Sequence, residues 1–197
     1  MAARAHSADP RAERVRARLR EAAFALAHEQ PVDRLTVGDI VARARVSRQV
    51  FYQHFTDRDD AVANAVTTAF ATATTDLGGD VRARIARLFD FVAEHRAMYR
   101  NVVFSAVAPR VITAFRAVLL PLCEEISADA MPAVTQIAGV APEAVTRFLV
   151  GGFTEVLRSW MEDPDSTDLG DRVRAALDTV NALLGVPEHS KGPHNNG

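Results

Sequence analysis

A single cysteine, Cys123, stands in the 197 residues, which excludes an intrachain disulfide and any zinc site built on paired thiolates. Cys123 itself reads as a small core residue. Lysine is almost absent: Lys191 stands alone beside twenty-two arginines, a compositional bias that carries no functional reading. No apolar run approaches the roughly 20 residues that a membrane helix needs. Residues 1–30 hold no apolar stretch of the signal-peptide kind, so the expected location is the cytoplasm and no membrane partner is expected. Phosphate-binding glycine loops and nucleophile elbows are also missing, and Gly151-Gly152 falls inside a helical pattern. His28, His54 and His95 are too scattered to hold a metal. The sequence therefore predicts no enzyme, no cofactor and no metal site.

What is present is charge asymmetry and helical periodicity. The net charge is −2, yet residues 1–58 carry eleven Arg against seven Asp and Glu, while the remainder carries twelve Lys and Arg against eighteen acids. A basic head on an acidic body suits an anion-binding head. A helix is predicted from Pro10, with Val15, Leu19, Ala22, Ala23 and Leu26 on one face. Residues 1–9 are expected to be disordered, and residues 186–197 form a polar tail. Beyond residue 57 the pattern is helical throughout, with a helix to about Leu77, a stripe from Val81 to Val92, an apolar segment from Met98 to Val107, and a helix from Pro109 to about Ser127 that holds Pro121. Residues 128–141 are expected to be irregular. Pro142 and Glu143 open the clearest helix, which Asp163-Pro164-Asp165 stops, and a last helix holds Val173, Leu177, Val180 and Leu184. The pattern predicts an all-α fold class, with a short head over residues 1–57 and a larger helical body over residues 58–197.

Residues 36–55 carry the functional pattern. Thr36 is placed to cap a short helix, with Asp39 three residues on for a capping box. The helix ends near Ala44-Arg45. Ser47 then caps a second short helix, in which Val50, Phe51 and Phe55 point inward, and Asp57 caps a third. Two short helices joined by a tight turn make a helix-turn-helix, whose second member can enter the major groove. Its outer side carries Arg48, Gln49, Tyr52, Gln53 and His54. Arginine can fork onto guanine and glutamine onto adenine.

The stretch Leu35-Thr36-Val37…Ile40-Val41…Val46-Ser47-Arg48…Phe51-Tyr52-Gln53-His54-Phe55…Arg58-Asp59 resembles the head of the TetR-type (tetracycline-repressor-like) regulators, over about 50 residues. The remaining residues resemble that family in layout. The resemblance implies a homodimer on palindromic double-stranded DNA, with a pocket in each body for a small-molecule effector. Thr36, Tyr52, His54 and Arg58 would contact phosphates, and Arg45, Ser47, Arg48 and Gln49 would lie in or beside the groove. Two positions depart from the pattern: Arg45 and Pro31 stand where glycine is frequent. A left-handed turn is costly for a residue with a Cβ.

The last two long helices have more apolar surface than one layer covers, so a second copy is expected against them. Phe153, Val156, Leu157 and Trp160 would form that face together with Val173, Leu177, Val180 and Leu184. Gly151 and Gly152 would mark a close helix approach. A largely apolar effector would be lined by Phe89, His95, Tyr99 and Phe104, with Phe115, Cys123, Phe148 and Gly152. The helix from Asp57 would link head to body. Repression is the expected mode; activation suits the same fold. A helical adaptor that binds only protein would leave Arg48, Tyr52 and His54 without a role.

Overall fold

The computed structural model describes residues 10–75, 78–134, 140–163 and 165–184, and every described element is helical. The order is α1 (Pro10–Glu29), a 3-10 turn (Val32–Arg34), α2 (Val37–Ala44), α3 (Arg48–Phe51), α4 (Arg58–Thr74), α5 (Val81–Glu94), α6 (Arg96–Val102), α7 (Ala108–Val134), α8 (Pro142–Glu162) and α9 (Leu169–Leu184). No described helix is long and apolar enough to cross a membrane. The disorder expected for residues 1–9 and the polar tail fall outside the described residues.

The chain divides into two compact units, Met1–Asp76 with Glu94–Phe115, and Leu77–Ala93 with Arg116–Gly197. The boundary expected at 57/58 falls inside the first unit, because α4 and α6 both pack on α1. Its core gathers Leu19, Leu26, Ile40, Phe51, Val62, Val66 and Met98 around α1, each 7% exposed or less. Every apolar position named on α1 except Val15 is buried; Val15 packs at the margin. Asn101 of α6 donates from Nδ2 to the Ala27 carbonyl at 2.9 Å, which satisfies an acceptor in the last turn of α1.

In the second unit, Ile85, Leu88, Phe89 and Val92 turn one face of α5 fully inward. The Phe89 and Phe153 rings lie 6.0 Å apart. Arg82 ties α5 to α9 through Asp178 and the Leu177 carbonyl, and Arg84 ties α5 to α7 through Glu125. Ser127 Oγ donates to the Pro142 carbonyl at 2.9 Å, joining α7 to the start of α8. The two arginine–acid pairs lie at the surface and fix geometry more than they add stability, each contributing about 0–1 kcal/mol.

One expectation is corrected: α7 continues through residues 128–134 as helix. Ile126 and Ala130 carry on its buried face at 6% and 0% exposure. Alanine is the strongest helix former, but it shows too little apolar contrast to extend a visible stripe. Residues 135–139, in the remainder of that expected loop, lie outside the described residues, as do Pro164 and the expected end of the α4 helix at residue 77.

Candidate nucleic-acid interface

The head is assembled from local caps on a shared core. Thr36 has extended backbone at φ −123° and its Oγ1 accepts from Asp39 N–H at 3.2 Å. Asp39 Oδ2 in return accepts from Thr36 N–H at 2.9 Å and from its hydroxyl at 2.7 Å. These bonds hold the Asp39 carboxyl below its ordinary range and complete the predicted capping box. A cap of this kind contributes about 1 kcal/mol. Ser47 Oγ accepts from Val50 N–H at 3.3 Å and Asp57 Oδ1 from Asp60 N–H at 2.7 Å, so α3 and α4 begin at the positions read from sequence.

Burial then sorts the two sides of α2 and α3. Ile40, Val41, Ala44, Phe51 and Phe55 are 8% exposed or less, while Val50 is half-buried. Arg45, Ser47, Arg48 and Gln49 are exposed, and Tyr52 is 59% exposed with its ring edge-on to Phe51 at 5.3 Å. His54 is half-buried. The structure thus brings Thr36, Arg45, Ser47, Arg48, Gln49 and Tyr52 together on exposed positions of one small unit. Arg58 is differently employed. Its Nη1 donates to the carbonyls of Asp33 and Leu35, each at 3.1 Å, and its Nε to Asp59 at 2.7 Å. In the free protein it braces the segment that leads into α2.

Two residues of the interface have no signature in the sequence. A Cβ on Gly38 would stand 3.2 Å from Arg48 Nη2 and 3.3 Å from Thr36 Oγ1, so this glycine leaves room for the Arg48 guanidinium against α2. Arg18 of α1 reaches the turn between α2 and α3, donating to the Ala44 carbonyl. Neither contact follows from a local pattern, because both pair residues on different helices.

The residues expected to line an effector pocket are spread over both units. In the first, Phe115 is buried beside Phe70 at 5.8 Å, and Tyr99 is half-buried with its hydroxyl pKa pushed up by burial. Phe104 is 92% exposed. In the second, Phe89 and Cys123 are fully buried, and burial pushes the Cys123 thiol up to about 12, as suits an inert core residue. Phe148 is 69% exposed, and Gly152 has open space where a Cβ would point. The second unit also has a groove of about 590 Å³ between α7 and α8, lined by Leu120, Ala128 and Met131 with Glu124, Thr146 and Arg147. None of the expected lining residues borders it.

His95 joins a histidine pair instead. His28 Nε2 lies 3.1 Å from His95 Nδ1, and His28 Nδ1 lies 2.9 Å from the Phe24 carbonyl. In the neutral pair His28 Nδ1–H donates to that carbonyl, so its Nε2 accepts from His95 Nδ1–H. The Phe24 ring meets both imidazoles edge-on. Desolvation, and then the charge of His28, lower the His95 pKa against an opposing pull from Glu94. A histidine that resists protonation only when folded contributes stability above its ordinary pKa and loses it as pH falls through that value. The thermal midpoint should therefore drop between about pH 7.5 and about pH 5.5, and less steeply in His95→Gln. Equal slopes in the two proteins would refute this assignment. Among the described residues no group of three potential metal ligands occurs.

A capped two-helix unit that lifts Arg48, Gln49 and Tyr52 clear of a buried core defines a helix-turn-helix DNA-binding head on an all-helical chain. Residues 19–64 match the bacterial regulatory proteins of the tetR family, so the head of this chain is similar to the DNA-binding head of those transcriptional regulators. Among solved structures, a protein from Pseudomonas aeruginosa PAO1, described as a candidate transcriptional regulator, is similar with a TM-score of 0.58 and 19% identity, covering 91% of this chain and 93% of that one. At that identity the likeness is one of fold. Comparison with the curated proteins finds no match.

Proposed function

We propose that this chain is a ligand-responsive repressor that binds a palindromic operator as a homodimer and is released by a small, largely apolar effector. The observation that carries the reading is the exposed set Arg48, Gln49 and Tyr52 on a helix whose opposite side is anchored by fully buried Phe51. Arg48 and Gln49 supply donors that fork onto base edges, and Tyr52 supplies a hydroxyl for phosphate.

The dimer reading is supported by apolar surface on the last two helices. Phe148 and Leu183 are 69% and 68% exposed, and a Cβ on Gly151 or Gly152 would meet nothing within 4 Å. Of the expected interface residues, Phe153, Trp160, Val173 and Leu177 are each 3% exposed or less within the protomer. Val156, Leu157 and Val180 are half-buried and remain available to a partner, and the Leu184 side chain lies outside the described residues. The proposed face therefore centres on Phe148, the paired glycines and Leu183, with the inward row serving as its support. The effector acts through different affinities for two separations of the heads.

Selection of genomic fragments by the purified protein, followed by sequencing, tests the proposal. A palindrome is expected, bound by a species of twice the 21.4 kDa chain mass in light scattering. No enrichment by folded, dimeric protein that has been stripped of ligand and refolded would overturn it.

A further inference from the structure

The turn between α2 and α3 holds an arginine in a conformation that glycine would adopt without strain. Arg45 has φ 53° and ψ 50°, where a Cβ crowds the following carbonyl. The turn closes by two backbone bonds, from Arg45 N–H to the Ala42 carbonyl at 3.3 Å and from Val46 N–H to the Val41 carbonyl at 3.1 Å. The Ala44 and Arg45 carbonyls lie at the end of α2, where the helix dipole is negative. One side chain serves both: Arg18 Nη2 donates to the Ala44 carbonyl and, at 3.4 Å, to the Arg45 carbonyl. Arg18 projects from a part of α1 anchored by Leu19 and Ala22, 0% and 4% exposed. The neighbouring Arg43 is engaged elsewhere, in a two-bonded pair with Glu29 at 2.6 and 2.9 Å.

We propose that Arg18 is a positioning residue for DNA reading, its guanidinium holding the strained turn at Arg45 closed and so setting the direction in which α3 leaves α2. The inference rests on the operator-binding reading above. Its physical content is preorganisation: with the turn held, α3 presents Arg48 and Gln49 in one orientation, and no binding energy goes into ordering it.

The test compares the parent, Arg18→Met, Arg45→Gly and the double variant. Methionine keeps an unbranched apolar stem and removes the donors. Each protein is measured for affinity to a duplex fragment recovered in the selection, over a salt series, and for amide exchange at Val46. Arg18→Met should weaken binding by about tenfold, leave the salt slope unchanged and speed exchange at Val46. In the Arg45→Gly background the same change should alter affinity by less than about twofold, because glycine takes the turn unaided. Arg18 is exposed, so circular dichroism should match the parent. A salt slope reduced by about one, with equal losses in both backgrounds, would make Arg18 a phosphate contact and overturn the proposal. Unchanged affinity and exchange in Arg18→Met would overturn it as well. If the parent binds no duplex, the operator-binding reading fails, and exchange at Val46 still decides whether Arg18 holds the turn.

Discussion

Replacing Phe51 by alanine should cost about 3–5 kcal/mol of stability and abolish DNA binding. Phe51 is 0% exposed and is the only α3 residue that reaches the core. It packs against Phe55 at 5.8 Å and lies in the same buried cluster as Leu19 of α1, Ile40 of α2 and Val62 of α4, so its ring sits in the core that those helices share. A helix of four residues has too few internal bonds to persist without such packing. Domain stabilities run to about 5–15 kcal/mol, so the loss takes a large share of the total. Chemical denaturation measures it. A change below about 1 kcal/mol, of the size found for ordinary surface substitutions, would mean that the ring is not the anchor described here. Tyr52 supplies the contrast on the other side of α3. At 59% exposure, Tyr52→Phe should leave stability nearly unchanged and weaken binding to all sequences alike.

Raising monovalent salt from about 50 to about 200 mM should lower operator affinity by about a hundredfold. Each head exposes Thr36 at the start of α2, Arg45 in the turn and Tyr52 at the end of α3. Counterions are released by cations, so Arg45 and Arg58 of two heads, about four charges on one operator, carry this dependence, while the neutral Thr36 and Tyr52 hydroxyls fix register without adding to it. The same titration separates the roles of individual residues. Arg48→Ala should cost about 1–3 kcal/mol and relax preference at one base pair, with less change in salt slope than the loss of a phosphate contact. A salt-independent affinity, measured by fluorescence anisotropy on the selected fragment, would show that these exposed groups do not meet phosphate. The paired glycines and exposed Phe148 of α8 would then be left as the main candidate contact surface.

The head was legible because its signals are short-range. Thr36 and Asp39, Ser47 and Val50, and Asp57 and Asp60 each bond across three residues, so the chain declares those helix starts wherever it folds. The inward positions of α1, α2 and α5 were legible for a related reason, since a stripe at helical spacing has only one apolar side to bury. Alanine hid the last turns of α7, being a helix former without apolar contrast.

Other features depended on which helix stands opposite. Phe104 and Phe148 look like any core phenylalanine in sequence, yet they are 92% and 69% exposed. Phe153 and Trp160 share a helix with Phe148 and are buried within the protomer. The contact of Arg18 with the turn spans 26 residues and the His28–His95 pair spans 67. Hydrophobicity and capping are properties of residues and their chain neighbours, so the all-helical class, the helix starts and the likeness of the head to the tetR-type head were present in the order of amino acids. Exposure, and the partner that each polar group finds, are properties of packed surfaces. Only the tertiary structure could therefore decide that Arg58 braces the entry to α2, that Arg18 meets the turn at Arg45, and that Phe148 and two glycines stand among the exposed residues of α8.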